Sequence, residues 1–519
     1  MSQPHVNYAR GAAPGFTPEN SVLLEAFEWY SPADGKHWRR LAQAVPGLKR
    51  LGINYIWLPP GCKAGWEGSN GYDVYDMYDL GEFDQKGARA TKWGTKEELM
   101  DLMHVAREHG TAVLWDAVLN HKSAADYTEK CQAVVVDKDN RLKELSGPQE
   151  VEVWTGYDFA ARAGRYSQMK YHWHHFSGTD WEARLKTNEK LYKFVGPQKP
   201  GWALDVDDSD GNADYLMGND LDYSQREVRQ DMMHWGTWIT QELGLSGFRL
   251  DAVKHFSSDF LQSWISHLDQ TLAGPPLLMI GEYWRDDLRS LGSMIEKLRG
   301  RLLLFDVMLA TNMSKLSVAN DGDMRGILTN TLTQYYPQQA VSFVINHDTQ
   351  SRFERDHAVT AISPWFIPLA YAFILLRAHS GFPCVFYGDL YGICGPAPLA
   401  PSCQGKLPKL ILARKLLAYG EMRECWDDRH CVGFSRMGDA QRREGVAVVM
   451  TNAEVGGGKR MEVGTWHAGE VWTDLLGGVG GSVVIDGWGC GVFTCAPRSV
   501  AVWARRDGPC RAEIDGSDL

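Results

Sequence analysis

Short apolar runs recur along the chain, separated by longer segments in which apolar residues return every three or four positions. The runs read as buried strands. Val22-Leu23-Leu24-Glu25-Ala26-Phe27, Tyr55-Ile56-Trp57-Leu58 and Ala112-Val113-Leu114-Trp115-Asp116-Ala117-Val118 come first. Gly247–Asp251, Leu277–Gly281, Leu302–Val307, Val341–Ile345 and Pro383–Tyr387 follow. The helical rhythm is clearest over His37–Leu51 and over 95–109. Eight strands alternating with helices predict an α/β fold, a (β/α)8 barrel.

Two intervals depart from that alternation. Between Asn120 and about Asp222 lies a stretch rich in Trp, Tyr, His and Asp. It is too long for a loop without structure of its own, so it predicts a β-rich subdomain inserted after strand 3. Beyond residue 421, short runs such as Val446–Met450 and Ser499–Trp503 lie between glycine clusters and predict an antiparallel β-sandwich. The expected organisation is a barrel over 1–119 and 223–420, an inserted subdomain over 120–222, and a C-terminal sandwich over 421–519. Residues 1–20 read as a loose Pro/Gly-rich leader.

Charge and composition narrow the ligand. Lys and Arg number 54 against 65 Asp and Glu, a net charge of −11, and no basic stripe appears, so a nucleic-acid partner is not expected. No apolar stretch is long enough for a membrane span. Twenty Trp and 20 Tyr mildly favour a carbohydrate, since flat rings stack on sugar faces. The first residues lack the charged start and apolar core of a signal peptide, so the expected location is cytoplasmic, with the 10 cysteines as free thiols. Cys425 with Cys431, and Cys490 with Cys495, are close enough in sequence to pair sterically.

Three of the predicted strands end in an acid: Asp251 on the fourth, Glu282 on the fifth and Asp348 at the seventh. Acids at strand ends of a barrel meet at its C-terminal face, where active sites of this fold sit. Arg249 and Asp251 are two apart and share a strand face, so the guanidinium is expected to hold Asp251 ionised. Glu282 lies between Gly281 and the rings of Tyr283 and Trp284, and that apolar flank is expected to raise its pKa, as a general acid needs. Asp348, beside His347, is expected to steady a sugar ring as charge develops. Paired carboxylates in these two states are the equipment of glycoside hydrolysis.

These segments resemble the motif set of the alpha-amylase superfamily of retaining glycosidases. Asp116–His121 resembles the first motif, Gly247–His255 the second, Gly281–Trp284 the third and Val344–Asp348 the fourth. Gly71–Phe83, Tyr215-Leu216-Met217 and Val385–Asp389 resemble its liquefying, bacterial-type branch, which includes leaderless intracellular fungal members. The likeness runs from about residue 20 to the C-terminus and is weaker in the last hundred residues. It implies Asp251 as nucleophile, Glu282 as acid/base and Asp348 as transition-state stabiliser. It also implies that His121, Arg249 and His347 bind the sugar beside the cleaved bond, that Tyr72 stacks beneath it, and that Lys254 and His255 lie on the leaving-group side. The implied activity is endo-acting hydrolysis of alpha-1,4-glucans by a monomeric chain. Closely related transglycosylases share every catalytic residue; a non-catalytic sugar-binding relative is expected to have lost one of the acids.

Members of this branch bind one calcium between barrel and insertion, and the matching positions are Asn120, Asp214, Asp220 and the carbonyl of His255. Oxygen ligands of these types suit Ca²⁺. Liquefying members often add a mixed calcium–sodium cluster. Two of its carboxylate positions fall by alignment on Gln168 and Ala203, with Asp205, Asp208 or Asp222 remaining, so one ion rather than three is expected. Two other tracts invite a metal and are declined. Asp205–Gly211 lacks EF-hand spacing and a closing Glu, and Tyr171–Phe176 offers His172, His174 and His175 with no local Cys or acid to complete a tetrahedral set.

Overall fold

In the computed structural model, which describes residues 20–319, 321–350 and 362–516, six of the eight predicted runs contain a barrel strand, and the last two, Val341–Ile345 and Pro383–Tyr387, overlap strands that begin one residue earlier. They are β1 (Leu23–Glu25), β2 (Tyr55–Leu58), β3 (Ala112–Ala117), β4 (Gly247–Leu250), β5 (Leu278–Gly281), β6 (Leu303–Phe305), β7 (Ala340–Phe343) and β8 (Phe382–Phe386). They close into a barrel in chain order, every neighbouring pair parallel and β8 returning to β1. Strands covered on both faces read as continuous apolar runs, which is why burial is nearly unbroken along all eight. Outside them, helices present one apolar stripe: His37–Leu51 buries Trp38, Leu41, Val45, Leu48 and Leu51. That helix ends at Gly52, whose φ of 115° favours a residue without a Cβ. The helix Lys96–Glu108 starts at a capping box between Thr95 and Glu98. No helix among the described residues is long and apolar enough to cross a membrane.

The segment after β3 builds a six-stranded antiparallel sheet, in the order His121–Lys122, Asn219–Leu221, Phe176–Thr179, Leu191–Val195, Tyr127–Val136 and Gln149–Gly156. Its first and last strands in sequence are neighbours, with Asp220 paired to His121. The chain therefore leaves and re-enters the barrel at one point, and this sets Asn120 beside Asp220 although they are a hundred residues apart.

The C-terminal part is antiparallel throughout. Met422–Cys425, Cys431–Arg436, Val446–Thr451, Ser499–Arg505, Val471–Asp474 and Val483–Val484 form one sheet, and Gly457–Glu462 pairs with Cys490–Cys495 in a second. Trp472, Phe493 and Trp503 fill the space between them. Trp472 is fully buried there, while Trp466 and Trp488 are 53% and 78% exposed. All ten cysteines are free. The leader expected over 1–20 lies outside the described residues except for Asn20.

Candidate active site

β4 and β5 run side by side, and the Glu282 N–H donates to Leu250 O (2.9 Å), extending their ladder past the last strand residue. Asp251 and Glu282 thus emerge together at the C-terminal mouth. Arg249, 1% exposed, points its guanidinium at both: Nη1 donates to Asp251 Oδ1 (2.6 Å) and Nη2 to Glu282 Oε2 (2.8 Å). Nη1 also donates to Asp116 Oδ1 (2.9 Å) on the adjoining strand β3. Asp116 in turn accepts from Trp57 Nε1 and Tyr72 OH, both at 2.9 Å.

Three carboxylates around one buried guanidinium cannot all be ionised cheaply. Burial pushes Asp251 up to about 7; Arg249 pulls it down, while Glu282 and Asp116 push it further up. Arg249 itself is held firmly protonated by the carboxylates. Burial thus disfavours the charged form of Asp251 even with Arg249 in contact. This differs from the expectation that Arg249 alone sets the state of Asp251: the guanidinium is shared three ways, which adjacency along one strand could not reveal.

The expected apolar flank of Glu282 is also different. The Tyr283 hydroxyl turns outward to Asp207 Oδ2 (2.6 Å), in the insertion. Glu282 instead accepts from Arg249 and from the Ala252 N–H (3.1 Å). Ala252 takes φ 47°, a left-handed conformation costing roughly 1 kcal/mol or more for a residue with a Cβ. The strained turn aims a backbone donor at the acid.

Asp348 lies five residues past the end of β7, in the following loop, with its side chain 40% exposed. His347, 1% exposed, is stacked on Tyr72 (centroids 5.1 Å apart, 8° between planes) and parallel to Trp29 (6.2 Å, 5°). His121 is buried, its Nε2 against Tyr72 O (2.8 Å), and burial lowers it to about 4, so it is neutral. Lys254 Nζ donates to Trp284 O (3.2 Å), beside Glu282. His255 is turned away from the mouth, Nδ1 against Ala213 O (2.6 Å), next to the Asp214 backbone. Asp116, Trp57, Trp29 and Glu25 were not assigned roles from sequence. For Asp116 the signal was present, because it is a carboxylate interrupting an apolar run near the end of a barrel strand.

Asn120, Asp214 and Asp220 are 0%, 4% and 1% exposed. The Asn120 Oδ1 is buried with no hydrogen-bond partner among the described residues, an acceptor that ordinarily would not be left bare. Burial pushes Asp214 (to about 7) and Asp220 upward, with the charges of Asp222 and Asp205 adding to this at Asp214 and those of Asp214 and Asp222 at Asp220. The donor set is oxygen-rich, acidic and short of a cation. The carboxylates offered for further ions are each matched with a side-chain cation: Asp222 with Lys199 (2.8 Å), Asp208 with Arg285 (2.7 Å), Asp205 with Lys297 (3.8 Å). Ala203 adjoins the group, its N–H donating to Asp214 Oδ2 (2.8 Å). Gln168 does not: it bonds Gly164 O (2.9 Å) at the surface, and Ser177 is the side chain facing Asp220.

The histidine tract does gain an acid, from 52 residues away. His174, His175 and Glu227 bring ligand atoms within 4.8 Å of one another. Yet His175 Nδ1 accepts the His172 N–H (2.9 Å), so Nε2 carries the ring proton and donates to Glu227 Oε2 (3.0 Å). A metal on Nε2 would require a ring stripped of both protons. The Asp205–Gly211 acids serve the protein too: Asp205 receives the Asp259 N–H (2.7 Å) at a helix start.

A family model for the alpha-amylase catalytic domain matches residues 33–442, and the chain belongs to that family. It is 41% identical over 490 residues to the alpha-amylase of Bacillus licheniformis, covering 94% of each chain. It is 39% identical over 489 residues to the glucan 1,4-alpha-maltohexaosidase of Bacillus sp. (strain 707), covering 94% of this chain and 93% of that one. With the cytoplasmic alpha-amylase of Escherichia coli (strain K12) it shares 40% identity over 496 residues, covering 93% and 98%. Among solved structures, an Anoxybacillus alpha-amylase matches in fold with a TM-score of 0.61 at 17% identity, over 94% of this chain and 97% of that one.

Proposed function

We propose that this protein is an endo-acting alpha-amylase that hydrolyses alpha-1,4-glucosidic bonds with retention of configuration. The observation that carries the reading is Arg249 clasping Asp251 and Glu282 with its two terminal nitrogens at the barrel mouth. Carboxyls held by one guanidinium are close together. That suits double displacement, which uses a separation of about 5–5.5 Å, better than inversion, which leaves room for a water between them. The names of the Bacillus and Escherichia relatives point the same way.

With Oδ1 tied to Arg249, Asp251 Oδ2 is the oxygen free to attack the anomeric carbon. As that bond forms and the glycosidic C–O bond breaks, Glu282 as general acid gives a proton to the leaving oxygen. Water then gives its proton back to Glu282 and releases the sugar from the Asp251 ester. Tyr72 and His347 form a flat wall for the ring bound there, and Asp348, the most exposed of the three acids, faces the charge that develops. The relative from Escherichia coli supports a cytoplasmic setting, with intracellular glucan or maltooligosaccharide as substrate.

The decisive experiment is a timed product profile on maltoheptaose. Only shorter sugars, released in the alpha configuration, are expected. Sugars longer than the one supplied would mean that an acceptor sugar outcompetes water, and the enzyme would be a transglycosylase.

We assign one calcium to Asn120 Oδ1, Asp214, Asp220 and the His255 carbonyl; when bound it supplies the charge that the two buried aspartates lack and ties the insertion to the barrel. Saturation at about 100 times the Kd would add about 2.7 kcal/mol of stability. Treatment with a chelator is therefore expected to lower the melting midpoint, with recovery on adding Ca²⁺. An unchanged midpoint and unchanged activity would remove the site.

A further inference from the structure

His347 has a carboxylate at each ring nitrogen. Nδ1 lies 2.6 Å from Glu25 Oε1, and Nε2 lies 3.2 Å from Asp348 Oδ2. Glu25 Oε1 also accepts the His347 backbone N–H (3.2 Å), so it fixes both the ring and the chain that carries it. A neutral imidazole has one N–H and one lone pair. Between two carboxylates, the neutral ring would set a lone pair against an anion on one side. With both carboxylates ionised, only the imidazolium satisfies both contacts.

Glu25 is the last residue of β1 and is 1% exposed. An acid that ends a buried strand beneath an active site calls for a reason, and its partners supply one. Charged and titratable groups face the pair from four elements among the described residues. Asp348 comes from the β7 loop, Tyr72 from the loop after β2, Arg249 from β4, and the neutral Cys384 thiol from β8. The rings of Phe27, Trp29, Trp57 and Tyr72 close the remaining sides. An aromatic enclosure with anions at both ends suits a cation.

We propose that Glu25 is a positioning residue that keeps His347 a doubly protonated, doubly donating cation throughout the working pH range, so that Nε2–H is always available to a sugar hydroxyl that displaces Asp348. This rests on the reading of His347 as part of the sugar site. The two carboxylates raise His347 to about 10 against the burial that lowers it, which is the direction the geometry requires. Burial pushes Glu25 up, and the imidazolium and Arg249 draw it back.

Glu25→Gln tests the proposal, because the amide keeps the acceptor oxygen and the size but removes the charge. Ring ¹⁵N shifts of His347 in histidine-labelled protein read the ring directly. The wild type is expected to show an imidazolium at pH 8, and a neutral ring there would overturn the proposal with no variant needed. In E25Q the ring is expected to lose its second proton as pH rises from 6 to 8, near the ordinary histidine value of about 6.5. kcat/KM on maltoheptaose is then expected to fall roughly tenfold over that interval, through KM, where the wild type changes little; a neutral ring with an unchanged pH profile would overturn the positioning role. Glu25→Asp, which restores the charge, is expected to bring the wild-type profile back, and failure to do so in a folded protein would count against charge as the cause. Were the wild type inactive on maltoheptaose, the functional reading would fail, and the nitrogen shifts would still decide the state of the ring.

Discussion

Glu282→Gln is expected to cut turnover of maltoheptaose by about 10³-fold or more, while leaving the sugar bound. The amide oxygen can still accept from Arg249 Nη2 and the Ala252 N–H, now 2.8 and 3.1 Å from Oε2. The shape of the mouth is therefore kept. What is lost is the proton for the leaving oxygen and the base that later takes one from water, and general acid–base catalysis contributes about 10²–10⁴-fold at each step that uses it. The variant also removes one of the three carboxyls that crowd Arg249, and with it a group whose charge opposes that of Asp251, so the melting midpoint should not fall. Initial rates and calorimetric binding of maltoheptaose, made on the same preparation, separate the two effects. Unchanged turnover would end the assignment of Glu282 as acid/base and reopen the non-catalytic reading of the fold.

Arg249→Met should damage both stability and activity. The guanidinium is the direct ionic partner of Asp116, Asp251 and Glu282, and lies over the Trp57 ring (4.9 Å to its centre). Methionine fills much of the volume but leaves Asp116 and Asp251 buried without a counter-charge. Removing one partner of a buried pair costs about 3–5 kcal/mol. The carboxylates can reduce that cost only by taking up protons, which disables Asp251 as a nucleophile. Urea unfolding is thus expected at a clearly lower midpoint, the more so at higher pH, together with loss of nearly all turnover. Arg249→Lys should fall between, since one ammonium cannot reach three carboxylates with the fork geometry of a guanidinium. An Arg249→Met protein that unfolded at the wild-type urea concentration would show that the cluster is not organised by this cation.

The barrel was readable because its strands are buried on both faces. Continuous apolar runs such as Leu278–Gly281 cannot sit at a surface, and their alternation with amphipathic helices leaves few architectures. The acids were readable for a related reason: Asp251 and Glu282 interrupt burial at the one end of a barrel strand where a charge can reach solvent. Their electrostatic states were not. Adjacency suggested that Arg249 serves Asp251 and that two rings surround Glu282. In the fold Arg249 serves three acids from three strands, and Tyr283 turns to the insertion. The histidine tract shows the same limit. The acid it lacked locally arrives from Glu227 on a helix, and a backbone N–H from His172 then decides which ring nitrogen holds the proton.

The sequence by itself determined the strand and helix order, the place of the insertion, the antiparallel C-terminal part, and the acids at the strand ends. Each of these depends on local periodicity, or on a charge meeting the edge of an apolar run. Only the tertiary structure decided which charged groups meet: Asp116 with Arg249, Glu25 with His347, and Asp214 with Asp220 near the buried Asn120 oxygen. Protonation depends on distance through a low-dielectric interior, and chain separation carries no information about that distance.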